Sequence, residues 1–89
     1  MKPDIRSVVA ENIRRRRLEL GFTQEGFAHF ANLARTYYGR IERGEQNVSV
    51  ERLVWLAAYL NTSVPELTEG LTGDVCKAFA EDAGDESSG

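Results

Sequence analysis

The stretch LGFTQEGFAHFANLARTYYGRIERG, residues 20–44, decides the fold. Thr23 stands just ahead of Gln24 and Glu25. A threonine hydroxyl in that place accepts from the N–H groups of a helix's first turn, and an acid at 25 suits the positive end of the helix dipole. Phe27, Phe30 and Ala31 give this helix, about nine residues long, an apolar side, and Asn32 follows as a residue that tolerates the left-handed conformation of a tight turn. The chain resumes at Ala34, runs through Arg43 and stops at Gly44. At helical spacing Leu33, Tyr37 or Tyr38, and Ile41 share one side, which leaves Arg35, Thr36, Gly39, Arg40 and Arg43 on the other. Two short helices joined by a tight turn result, the second presenting arginine on its open face.

The flanks extend the same pattern. Asp4 can cap a helix running to about Leu20, in which Ile5, Val9, Ile13 and Leu20 recur among the arginines and Gly21 ends the run. Ser49 opens a fourth helix with an apolar stripe of Leu53, Leu56, Ala57 and Leu60, closed by Asn61. Ser63-Val-Pro-Glu66 has the spacing of a capping box and opens a fifth helix around Leu67. No strand-period run, repeat or linker interrupts residues 1–70, so the fold class is all-α. Residues 71–89 form an acidic tail, within which a short sixth helix over 74–81 capped by Asp74 is set against a wholly solvated segment. Gly84–Gly89 reads as solvated tail.

Composition narrows the function classes. Eighty-nine residues, 42% hydrophobic and 28% charged, make one small soluble domain without room for the deep cleft most enzymes use. No paired carboxylate, no nucleophile beside a base and no glycine-rich phosphate loop shares common ground, which argues against an enzyme. The longest apolar run, Leu53–Leu60, is far below the roughly 20 residues that span a bilayer, so no membrane association is expected. The N-terminal residues lack the pattern of a secretory or transit peptide, and the expected compartment is the cytoplasm. Cys76 is the only cysteine and reads as an inert thiol; His29 is the only histidine and reads as a surface residue. No metal and no cofactor is expected. Residues 1–45 carry nine basic against six acidic side chains, residues 46–89 two against eight, so one face suits a polyanion and the other end does not.

A short helix, a tight turn and a second helix exposing arginine are the plan of a helix-turn-helix DNA reader. With G-x-T-Q-E at 21–25, Ala28, I-E-R-G at 41–44, N-x-S at 47–49 and L-x-x-L-A at 53–57, residues 5–70 resemble the five-helix, lambda-repressor-like domain of the XRE family of Cro and phage-repressor-like regulators. The resemblance implies double-stranded DNA as partner, with Arg35, Thr36 and Arg40 of the third helix at base edges in the major groove. Thr23, Gln24, Tyr37 and Arg43 would contact phosphates, the Gln24 amide donating to one. Arg17 and Glu42 would form a structural ion pair between the first and third helices. Ala28 is small where the second helix passes the third. Of Arg14, Arg15 and Arg16, at most one is expected on a phosphate; the stem of Arg16 should lie along the core with its head in water. Tyr38 reads as core with its hydroxyl at the edge.

Several residues depart from the pattern. Ala34 stands where a Ser or Thr usually caps the reading helix, a loss of about 1 kcal/mol. Gly26 and Gly39 interrupt helices at about 1 kcal/mol each relative to alanine, as tolerated drift or, at Gly39, to let the helix backbone approach DNA. Trp55 occupies a usually polar position and implies a second buried surface. Such regulators commonly pair through helices 4 and 5, so Trp55, Val64, Pro65 and Leu71 are candidates for a homodimer interface, with packing of Trp55 under Val75 and Phe79 as the alternative. N-L-x-R-T-Y at 32–37, followed by I-E-R-G and N-x-S, is also similar to the single-domain, dimeric controller proteins that time gene expression in restriction-modification systems, which implies a homodimer on a pseudo-palindromic operator that regulates its own expression. The competing function is an antitoxin or interaction module whose acidic tail binds a protein partner.

Overall fold

The computed structural model describes residues 3–84. Asp4 begins the ordered chain as a cap: its carboxylate accepts from the Ser7 N–H at 3.1 Å and from the Ser7 hydroxyl at 2.7 Å, and these bonds hold its pKa below the ordinary value. Helix α1 (Ile5–Glu19) follows, then α2 (Gln24–Phe30), α3 (Arg35–Glu42), α4 (Val50–Tyr59), α5 (Val64–Leu67) and α6 (Gly73–Gly84). Among the described residues there is no strand, and the class is all-α as the sequence implies. Thr23, Ser49 and Ser63 each accept from the backbone N–H three residues on, as their positions predict. The α2 helix is seven residues long, shorter than the pattern suggests, because Ala31 already caps it.

The corners turn on left-handed residues. Asn32 (φ 59°) and Asn61 (φ 51°) are the non-glycine cases, and both follow a helix that has just ended. Gly44 (φ 72°) closes α3 against α1, where a Cβ would come within 3.1 Å of the Ser7 hydroxyl and 3.4 Å of its backbone. A side chain there is therefore strained by conformation and crowded against Ser7.

Ile13, Phe27, Ala28, Ala31, Tyr38, Ile41, Leu56, Ala57, Leu60 and Leu67 form the core, one contribution or more from each of α1 to α5. Ala28 is buried between α2 and α3, the placement its size requires. Leu20 is not in the core: as the C-cap of α1 it projects outward, as does Leu18. Tyr38 is wholly buried, hydroxyl included, rather than resting at the edge.

Two polar residues of α1 do what periodicity alone does not reveal. Asn12 is buried and its amide donates to the carbonyls of Leu67 (2.9 Å) and Glu69 (2.8 Å), the end of α5. The head of Arg16 is partly exposed, but it is bound as well as wet: Nε donates to the Leu60 carbonyl at 2.8 Å, Nη2 to that of Asn61 at 3.0 Å and Nη1 to Glu19 at 3.3 Å. The end of α4 presents carbonyls without helical partners, and a guanidinium satisfies two at once. Arg15 bonds the Asn12 side-chain oxygen at 3.0 Å on its own helix, so of the three neighbouring arginines Arg16 alone reaches the end of α4.

The sixth helix is present and longer than the 74–81 segment anticipated. Its first turn is capped by Thr72, whose hydroxyl accepts from the Val75 N–H at 3.4 Å and whose carbonyl accepts from Cys76 at 2.9 Å, so Asp74 lies inside the helix instead of capping it. Val75, Phe79 and Ala83 are half-buried, one turn apart, while Cys76 is exposed. Gly84 belongs to α6; the reading of 85–89 as solvated tail lies outside the described residues.

Ala34 caps α3 in extended conformation (φ −60°, ψ 133°) with no side-chain hydrogen bond. Since the backbone is already that of a cap, Ala34→Ser is expected to raise unfolding free energy by about 1 kcal/mol in urea denaturation. No change, or a loss, would show that the first turn of α3 has no room for the bond.

Candidate nucleic-acid interface

Glu42, the last residue of α3, fixes the reading helix. Its carboxylate takes Arg17 Nε at 2.6 Å and Nη2 at 3.0 Å, a two-pronged pair, with side chains only 8% and 2% exposed. Gln24 Nε2 donates to it at 3.2 Å and the Tyr38 hydroxyl donates to the oxygen that Nε holds. Arg17 spends its remaining arm on the Phe22 carbonyl at 2.7 Å. Three helices and the α1–α2 turn thus meet on one carboxylate. Burial pushes the Glu42 carboxyl up, but the bonds from Arg17, Tyr38 and Gln24 outweigh it and hold it below its ordinary value. The same bond raises Arg17, while burial, then the Glu42 bond, raises the Tyr38 phenol.

The network revises the expected role of Gln24. Its amide nitrogen donates to Glu42, because a buried carboxylate one helix away is a stronger local acceptor than solvent. Gly39 is likewise not on the open side: it is buried, and a Cβ there would come within 3.2 Å of Arg43 Nη1 and 3.5 Å of Gln24 Oε1. Its lack of a side chain accommodates Gln24 and Arg43. At Gly26 a Cβ would stand 2.9 Å from the Thr23 hydroxyl, so glycine leaves the cap intact.

On the open side Arg35, Thr36 and Arg40 are exposed along α3. Arg35 lies 3.8 Å from Glu25, both side chains over 70% exposed, a loose pair that solvent screens. Arg40 has no ion pair or side-chain hydrogen bond among the described residues. Arg43 folds onto Glu45 at 3.1 and 3.3 Å, exposed and exchangeable. Thr23 is exposed beside its cap bond, and Tyr37 is half-buried under the guanidinium of Arg52. The sequence pattern does not single out Arg52, because an isolated cation, one of two in an acidic half, carries no spacing signal. His29 is exposed.

The four interface candidates do not form one patch of equal openness. Trp55 and Pro65 are exposed, Val64 is half-buried against the core, and Leu71 lines a groove with Ile5, Val9, Leu53 and Thr68. Trp55 donates to the Ala31 carbonyl at 2.8 Å and packs its ring on Tyr59, not on Val75 or Phe79. An indole N–H that is half-covered seeks a nearby acceptor, and the end of α2 supplies one. Phe79 instead borders Pro3, Ile5, Arg6 and Asn47 at the start of α1. Val50 and Val54, one turn apart on α4, are 70% and 54% exposed.

A buried-carboxylate clasp behind a short helix that shows arginine outward, entered by a tight turn from a second short helix, defines a helix-turn-helix protein. The family profile described as helix-turn-helix matches residues 13–67, and the chain belongs to that family, in its XRE-like branch. Control protein C.SmaI of Serratia marcescens is 47% identical over 64 residues, 72% of this chain and 76% of the relative. The restriction-modification controller protein C.AhdI of Aeromonas hydrophila superposes with a TM-score of 0.65 at 34% identity, covering 70% of this chain and 94% of that one. The clp gene regulator ClgR of Corynebacterium glutamicum shares the fold over 97% of this chain and 87% of its own, with a TM-score of 0.71 at 24% identity. The protein is thus a helix-turn-helix transcription regulator of controller type. Among the described residues no helix is long and apolar enough to cross a membrane.

Glu42→Gln leaves the Arg17 charge buried without its counter-ion and is expected to cost about 3–5 kcal/mol in denaturant unfolding. Because the folded carboxyl is depressed, its contribution is complete above the unfolded value of about 4.3 and is lost as pH falls through the lower folded value. The stability gap between wild type and variant should therefore be constant near neutrality and narrow in acid. A gap independent of pH down to the acid transition would contradict the assignment.

Proposed function

We propose that this protein is a homodimer that reads a pseudo-palindromic operator with α3 and regulates its own expression. The observation that carries the reading is the exposed row Arg35, Thr36 and Arg40, held on a helix whose opposite side is pinned by Glu42. A guanidinium in that position pairs with guanine O6 and N7, which discriminates by roughly 1–3 kcal/mol per base. Arg43 and Thr23 flank the row as phosphate contacts; Arg43 would exchange Glu45 for a phosphate, at little loss since the pair is exposed. Gln24 reaches a phosphate only with the amide hydrogen that Glu42 leaves free, and Tyr37 only with its outer edge.

Resemblance to the proteins called control or controller proteins supports autoregulation. Two chains would set two copies of α3 about one turn of DNA apart. Val50 and Val54 join Trp55, Val64, Pro65 and Leu71 as the surface proposed for pairing, since contiguous exposed valines on α4 gain by being covered. Residues 1–70 would form the reading domain, with α6 and the acidic segment beyond it an appended element in the cytoplasmic protein.

Fluorescence anisotropy with duplex from the protein's own upstream region, against scrambled duplex over a salt series, tests the reading. Preference for the upstream duplex with two chains per half-site pair is expected. Weak binding without preference at every salt concentration would remove base reading and bring a protein partner of the acidic segment to the front. Arg35→Ala or Arg40→Ala should relax base choice at one position of each half-site in selection from a random pool, whereas Arg43→Ala should weaken all duplexes alike. Val54→Glu should convert a two-chain species to one chain in sedimentation velocity; an unaltered two-chain mass would move the interface elsewhere.

A further inference from the structure

Arg52 is set apart from the other arginines of the chain by its surroundings. It lies in the first turn of α4, and its guanidinium carbon stands 5.5 Å from the centre of the Tyr37 ring and 5.5 Å from that of Trp55. Both distances are within the range at which a cation is attracted by a ring face. Arg52 makes no ion pair and no side-chain hydrogen bond among the described residues, so the donors of its planar group remain open. The rings that hold it belong to the reading apparatus. Tyr37 is a residue of α3, and Trp55 is tied by its N–H to the carbonyl of Ala31, the last residue before the turn into α3. Asn32 of that turn lines the same open recess as Ser49, Arg52 and Trp55. The cation is therefore braced at the entry of α3, at the rim of an open recess.

We propose that Arg52 is a DNA-backbone contact, pre-positioned by Tyr37 and Trp55 so that its guanidinium grips a phosphate beside the groove that α3 enters. The inference rests on the DNA-reading function above and adds a residue from the acidic half of the chain to it. Stacking limits the rotamers of a long side chain before binding, so less freedom is lost when the phosphate arrives. A phosphate is the fitting partner: the site offers a planar fork of N–H donors beside an open recess. Glu51 lines the same recess and is exposed, and it forms no ion pair with Arg52, so the guanidinium stays available to an anion while an acid stands at the rim.

The experiment compares wild type, Arg52→Ala and Arg52→Lys on the upstream and scrambled duplexes over a salt series, with sedimentation velocity on each free protein. Arg52→Ala should weaken both duplexes by the same factor, lower the slope of log K against log salt by about one, and leave the two-chain mass unchanged. Arg52→Lys, with the charge but not the planar group, should keep the slope and still bind both duplexes more weakly. Trp55 is the single tryptophan, and its emission should change on DNA binding in wild type more than in Arg52→Ala. If wild type prefers its upstream duplex while Arg52→Ala matches it in affinity and slope, this proposal falls and the reading function stands. If wild type shows no preference at any salt, the reading function itself falls. Arg52→Lys equal to wild type would overturn the role of stacking, and a one-chain mass for Arg52→Ala would place the residue in the pairing surface instead.

Discussion

The carboxylate of Glu42 is the constraint on which the rest of this structure depends. It gathers a guanidinium from α1, an amide from α2 and a phenol from α3 itself, and it does so almost without contact with water. Each of these groups would be costly to bury alone, and together they satisfy one another. The angle between α2 and α3, which decides how a reading helix enters a groove, is thereby set by directional bonds as well as by packing around Ala28. A purely apolar contact of the same area would hold the helices together without fixing their register as tightly.

The network also sorts the arginines. Counted along the chain, the first half has a marked positive excess, but Arg15, Arg16 and Arg17 spend their guanidinium groups on Asn12, on the end of α4 and on Glu42. Under the proposed function, the charge offered to a polyanion lies on and around α3, at Arg35, Arg40 and Arg43, with Arg52 joining from α4. A modest field in the right place suffices when its members are held by helices that are themselves fixed. On that reading a chain of net charge −3 can still present a face to DNA.

Much of this was legible in the sequence, and what was legible was local. Thr23, Ser49 and Ser63 announce helix starts because a side-chain oxygen has to meet N–H groups three residues away; Asn32, Gly44 and Asn61 announce corners because few residues adopt positive φ. The exposure of Arg35, Thr36, Arg40 and Arg43 followed from the spacing of α3, whereas Gly39, placed on the same face by spacing, is buried. The Arg17–Glu42 pair came only through family resemblance, since nothing local joins residues 25 positions apart. The bonds of Asn12 to α5 and of Arg16 to α4 span 44 to 57 positions, and no periodicity reports such a bond. At the start of α6, Thr72 and Asp74 are both good caps two residues apart, and composition does not choose between them. Trp55 carried a true signal, a large ring in a polar position, but its N–H found its acceptor inside the chain.

The closed side of α3 is occupied by the Glu42 network, and the open side is the face proposed to meet DNA. A titration of the nitrogen-15 labelled protein with its upstream duplex, followed by two-dimensional NMR, tests this most directly. Shifts should concentrate on Arg35, Thr36 and Arg40 and the adjoining turn, while the side-chain N–H signal of Arg17 stays in place and slow to exchange with solvent. Shifts centred on α6, or loss of the Arg17 signal as DNA is added, would contradict it.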